Sequence, residues 1–107
     1  QGVSREKFVE ALNAEGVPAE RGYGRALYEQ PAFSQANLQI AYPNVRFPDY
    51  TKTHFPKAER FAAQEFQIAH QWFSTDREVL DLIVASIEKV KDNLDELKMA
   101  PEMKGAA

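Results

Sequence analysis

The sequence predicts a small α+β domain, a small antiparallel sheet packed with helices. Three observations carry that prediction. Apolar residues recur at helical spacing from Leu80 to Leu97, and apolar and polar residues alternate from Phe66 to Trp72. A second helical stripe, from Phe8 to Leu12, runs into an extended segment. The order of helix, extended segment, long loop, helix, strand and helix suits an α+β layer.

The first helix is expected over residues 4–15. Ser4 stands where an N-cap accepts an orphan backbone N–H, and Phe8, Val9, Ala11 and Leu12 form one apolar stripe. Gly16 occupies the position of a left-handed C-terminal residue, with Pro18 just beyond it. Residues 17–23 then read as extended. Residues 19–54 are the least regular part, holding three of the six prolines and all four tyrosines. A loop this long inside a compact domain is usually functional or packed against something else. Helical order returns at Pro56, a residue pre-organised for the first helical position, with Ala58, Phe61, Ala62 and Phe66 on one face.

The alternation that follows predicts a strand over 66–73, with Phe66, Ile68, His70 and Trp72 on one side. Thr75 and Glu78 fit a capping box. Leu80, Ile83, Val84, Ile87, Val90, Leu94 and Leu97 then keep helical spacing to residue 97. The domain is accordingly placed at residues 1–97, with 98–107 as a disordered tail. Strands at 17–23 and 66–73 alone make a thin sheet, which implies a further strand before Gln1 or from a partner chain. The missing initiator Met points to a processed, trimmed or incompletely observed chain.

Composition removes several functions. The 107 residues, 44% apolar and 27% charged, are enough for one modest core. A net charge of −3, with basic residues alternating with acidic ones, argues against nucleic acid as a partner. Without cysteine there is no disulfide, thiolate metal site or cysteine nucleophile. Apolar runs are too short to span a membrane, and no signal-peptide pattern is present, which leaves a cytoplasmic location as the expectation.

Catalytic constellations are also missing. His54 and His70 are not at ligand spacing, and no serine stands in a G-x-S-x-G setting. Glu88, Asp92, Asp95 and Glu96 interleave with Lys89, Lys91 and Lys98 as on a solvated helix face. The remaining candidate is Gly22-Tyr23-Gly24-Arg25-Ala26-Leu27-Tyr28-Glu29-Gln30-Pro31. Tyr23 and Tyr28 offer rings and phenol groups, and Arg25 offers a fork for a carboxylate or phosphate. The segment reads either as a binding surface for a polar ligand or as a turn whose tyrosines pack on the core.

Several stretches together carry a resemblance. Gly2-Val3-Ser4-Arg5-Glu6-Lys7-Phe8-Val9-Glu10-Ala11-Leu12 with Glu15-Gly16-Val17-Pro18 resembles the entry to the C-terminal small domain of the DegT/DnrJ/EryC1/StrS aminotransferases. Gly22-Tyr23, Leu27-Tyr28 and Gln30-Pro31-Ala32-Phe33 resemble that family's G-Y…P-L-Y-x-Q-P-x-F segment, with Ala26 where proline is usual. Pro56-Lys57-Ala58-Glu59-Arg60 is similar to its C-P-x-A-E-R helix start, with Phe55 in place of cysteine. Asp76 to Leu97 is similar to its closing helix.

The resemblance covers residues 2–97 in order and implies the C-terminal small domain of a fold type I aminotransferase that uses pyridoxal phosphate (PLP) on keto-sugars or cyclitols. It implies PLP in the full-length enzyme and none in this chain. The Schiff-base lysine and the aspartate facing the pyridine nitrogen belong to the large domain, so no catalytic residue is carried over and the isolated chain is expected to be inactive. Expected partners are the large PLP-binding domain of the same protein, a sugar or cyclitol substrate and a second copy in a homodimer. Tyr23, Arg25 and Tyr28 are the expected substrate-binding residues. The alternatives are a free-standing binding or interaction module derived from such a domain and, less readily, an independent small enzyme.

Overall fold

A computed structural model of the chain describes residues 2–101. In chain order its elements are α1 (Arg5–Ala14), β1 (Ala19–Arg21), α2 (Gln35–Ala41), α3 (Pro56–Gln64), β2 (Phe66–Ile68), α4 (Arg77–Asp92) and α5 (Leu94–Met99). Short 3₁₀ turns lie at Leu27–Glu29, Pro31–Phe33, Tyr50–Lys52 and His70–Phe73. The chain is therefore α+β, and its one sheet among the described residues is the antiparallel pair β1–β2. The described residues form two compact units. One unit runs to Gly22 and resumes at Phe66; the other is Tyr23–Glu65. Among the described residues, no helix is long and apolar enough to cross a membrane.

The first unit is built around the end of α1. Ser4 Oγ accepts the Lys7 N–H at 3.3 Å and caps the helix start, as its sequence position predicts. At the other end Gly16 takes φ +85°, a left-handed conformation that glycine adopts without strain from a side chain. Its N–H bonds the Asn13 carbonyl at 3.0 Å, and the Val17 N–H bonds the Leu12 carbonyl at 2.9 Å. This pair of bonds is a Schellman motif, and it carries Val17 onto Leu12. Both residues are buried, with Ala19, Ile83 and Val90 completing the core. Phe8, Phe66, Ile68, Ile87 and Leu97 pack against it, and the Phe8 and Phe66 rings meet at 5.6 Å. Each large apolar side chain fully buried here contributes about 1.5–3 kcal/mol.

In the sheet Ala19 faces Ile68, Glu20 faces Gln67 and Arg21 faces Phe66. The Asn13 amide then satisfies both backbone groups of Ala19: Nδ2 donates to its carbonyl at 2.8 Å, and Oδ1 accepts its N–H at 3.2 Å. A side chain thus does at this edge what a neighbouring strand would do. Lys7 Nζ donates to the Leu97 and Ala100 carbonyls at 3.3 and 2.7 Å, satisfying acceptors left open at the end of α5. Lys89 pairs with Glu15 at 2.7 Å.

Five expectations need correction. The strand expected over 66–73 stops at Ile68, and His70–Phe73 form a 3₁₀ turn that leaves His70 exposed. Its partner β1 is only three residues long, so the ladder has nothing further to pair with. The N-cap of α4 is Asp76, and Thr75 Oγ1 instead donates to the Trp72 carbonyl at 3.1 Å, so the expected capping box does not form. The helix expected to run unbroken to residue 97 is interrupted at Asn93. There the side-chain Nδ2 bonds the Lys89 carbonyl at 2.7 Å, offering the chain a local alternative to the helical ladder. Val84, expected on the buried stripe, is 54% exposed. The expected tail falls partly within α5, which ends at Met99, while 102–107 lie outside the described residues.

The second unit holds the region that has no lasting apolar period. It contains α2 and α3 with three of the 3₁₀ turns, and its buried apolar residues are Ala26, Leu38 and Ala62. Ser34 Oγ caps α2 by accepting the Asn37 N–H at 3.3 Å, and Asn37 Nδ2 donates to the Pro31 carbonyl at 2.6 Å. Only Leu38 of α2 is buried, which explains why a helix there leaves no stripe in the sequence.

Candidate functional site

Within the second unit, the turns after Ala26 and Asp49 enclose a cleft of about 300 Å³. The rings of Tyr28, Phe33 and Tyr50 line it, with Phe33 and Tyr50 meeting edge to face at 6.4 Å. Ser34, Thr51 and Thr53 add hydroxyl groups, and His54 stands at one side.

Local hydrogen bonds shape each wall. Glu29 Oε2 accepts the Ala26 N–H at 2.9 Å, which closes the turn carrying Tyr28. Gln30 Nε2 reaches the Arg25 carbonyl at 3.4 Å. On the opposite wall Asp49 Oδ1 accepts the Thr51 N–H and hydroxyl at 3.1 and 2.6 Å, an Asx-type turn that Tyr50 rides upon. Lys52 Nζ stands 3.2 Å from Asp49 Oδ2. The Thr51 hydroxyl first, and Lys52 after it, hold the Asp49 carboxyl below its ordinary range.

The centre of the arrangement is Glu59, in the first turn of α3. Its Oε1 accepts the Tyr28 hydroxyl and the Phe55 N–H, the latter at 2.9 Å. His54 Nδ1 lies 3.6 Å from the same oxygen, an ion pair only when the imidazole is protonated. The Tyr28 ring stands edge-on to Phe55 at 5.4 Å. Donation to Glu59 pushes the Tyr28 phenol above the usual tyrosine range, with desolvation adding to it. The same bond holds Glu59 below the usual carboxyl range.

Of the three residues expected to bind substrate, the structure places Tyr28 on the cleft. Tyr23 is 88% exposed, and neither it nor Arg25 lines the cavity. The chain turns at Gly24, φ +69°, before the Tyr28 turn begins. Sequence reasoning missed Tyr50, Thr53 and Glu59. Glu59 had a legible signal, a carboxylate in the first turn after a helix-starting proline, but nothing local in the sequence links it to Tyr28. Compared with family models, curated proteins and solved structures, the chain matches none.

Chemically the cleft is equipped to bind. Its rings offer faces to an apolar or CH-bearing surface, and its hydroxyls and amides both donate and accept. No Lys or Arg is among its lining residues. The Ser34 hydroxyl is committed as a helix cap, and no lining residue combines a nucleophile with an adjacent free base. Among the described residues, no group of three or more His, Asp or Glu side chains is placed to hold a metal ion.

Proposed function

We propose that this chain is the C-terminal small domain of a PLP-dependent aminotransferase acting on keto-sugars or cyclitols, and that its cleft contributes a wall of the substrate site. One observation carries the reading. Tyr28 belongs to the Leu-Tyr-Glu-Gln-Pro-Ala-Phe piece of the resemblance and Glu59 to the Pro-Lys-Ala-Glu-Arg piece, 31 residues apart, and the two share a hydrogen bond. Separate pieces of the motif thereby make one local feature beside a cleft suited to a hydroxylated ring.

The cleft does not fit PLP itself. No lysine lines it, so it has no amine to hold the aldehyde, and no step of that chemistry is assigned to these residues. In the complete enzyme the cofactor supplies an electron sink from the large domain. What this chain would supply is binding: Tyr28 and Tyr50 orient the substrate ring, and the walls exclude water around it. In that role the protein would act in the cytoplasm, as a homodimer.

A second reading has its own support. Every residue lining the cleft belongs to Tyr23–Glu65, so a free-standing binding module could use the same surface. The intact mass of the native protein in its source cells separates the two. A mass several times 12.1 kDa, with bound PLP, is the expected result. A native mass near that of this chain would overturn the aminotransferase reading in favour of the module.

A further inference from the structure

The Tyr28 wall of the cleft lies on a 3₁₀ turn. A turn of three residues has little rigidity of its own, since each of its 3₁₀ bonds is weak. Something must fix the phenol ring if that ring is to present a constant face to a ligand. Glu59 is not among the cleft residues, yet it touches two of them, accepting the Tyr28 hydroxyl and approaching His54 Nδ1 at 3.6 Å. It also accepts the Phe55 N–H at 2.9 Å, and Phe55 packs edge-on against the Tyr28 ring. One carboxylate oxygen therefore ties the turn at residues 27–29, the segment at 54–55 and the start of α3. The helix start favours a negative charge there, because its first N–H groups have no partner within the helix.

We infer that Glu59 is the positioning residue of the cleft, holding the Tyr28 ring and the His54 segment in place so that ligand contact is made by Tyr28 and not by Glu59 itself. The inference rests on reading this cleft as a binding wall. Its test uses the 107-residue chain alone, without cofactor or large domain, so its failure is separable from failure of the aminotransferase reading.

Tyrosine ring-carbon NMR across a pH titration, with Tyr28 assigned by loss of its signal in Y28F, reads the arrangement directly. In Glu59→Gln the amide oxygen still accepts the hydroxyl, so the ring contact between Tyr28 and Phe55 should persist while the Tyr28 midpoint falls. In Glu59→Ala both the contact and the elevated midpoint should be lost. Rescue of the contact by Gln, but not by Ala, is what a positioning role requires. Unchanged Tyr28 titration in Glu59→Gln, or a ring that stays on Phe55 in Glu59→Ala, overturns the inference. Should Glu59→Ala fail to fold, Tyr28→Phe reads the pair from its other end. There the Glu59 carboxyl should move up, and a carboxyl whose titration does not move would be equally fatal.

Discussion

Glu59 and Tyr28 show how one hydrogen bond sets opposite preferences in two acids. The bond needs a carboxylate acceptor and a phenol donor, so it stabilises ionised Glu59 and neutral Tyr28. For Glu59, lowered on folding, the stabilisation is complete above its unfolded value and is lost as pH falls through the folded one. For Tyr28, raised on folding, it is complete below its unfolded value and is lost as pH rises through the folded one. The stability difference between the native chain and Tyr28→Phe should therefore be flat from about pH 4.3 to about pH 10 and should narrow on both sides. Urea unfolding of both proteins across pH measures it, and a difference that widened in acid would contradict the assignment.

At the level of elements, local chemistry was readable wherever it depended on neighbours in sequence. Ser4, Gly16 and Pro56 marked helix ends correctly because caps and turns are decided within a few residues. Gly16 allows a sharp expectation. A Cβ built there meets no atom within 4 Å, so the cost of Gly16→Ala is purely that of the left-handed backbone. That cost should be about 1–2 kcal/mol in denaturant unfolding, with the same helical content. A neutral substitution would mean that the Schellman turn is not retained in solution.

What sequence did not disclose were features that depend on distant partners. The strand signal through Trp72 was cut short by the length of β1, which sequence period cannot register. Asn13 looked like an ordinary polar helix residue, yet its amide serves as the outer neighbour of Ala19. The polar bonding of Asn93 broke a helix whose apolar spacing continued past it. The cleft was half legible. Its Tyr28 stood out by composition and turn context, whereas Tyr50 and Thr53 came from a stretch with no period, organised by the Asp49 turn.

At the scale of the whole molecule, the second unit interrupts the first between two paired strands. Arg21 and Phe66 face each other in the ladder, so residues 22–65 replace what would otherwise be a hairpin turn. Replacing Gly22–Glu65 by Asn-Gly, a dipeptide suited to tight hairpins, should leave the first unit able to fold. Were the excised stretch a flexible loop, its removal would gain roughly 2–3 kcal/mol in closure entropy, and less because it has structure of its own. Cooperative thermal unfolding, with the Phe8–Phe66 contact kept, is the expected outcome. A chain without a cooperative transition would show that the first unit is not self-sufficient.

The same pairing orders events on the ribosome. Synthesis delivers α1 and β1 before their partners β2 and α4, which emerge only after the whole of Tyr23–Glu65 has passed. The uninterrupted unit can complete itself while Leu12 and Val17 still wait for Ile83 and Val90 to cover them. Of the two units, the last to finish is thus the one whose synthesis began first, and a nascent chain arrested just after Glu65 would carry a finished Tyr23–Glu65 unit beside a half-made first unit.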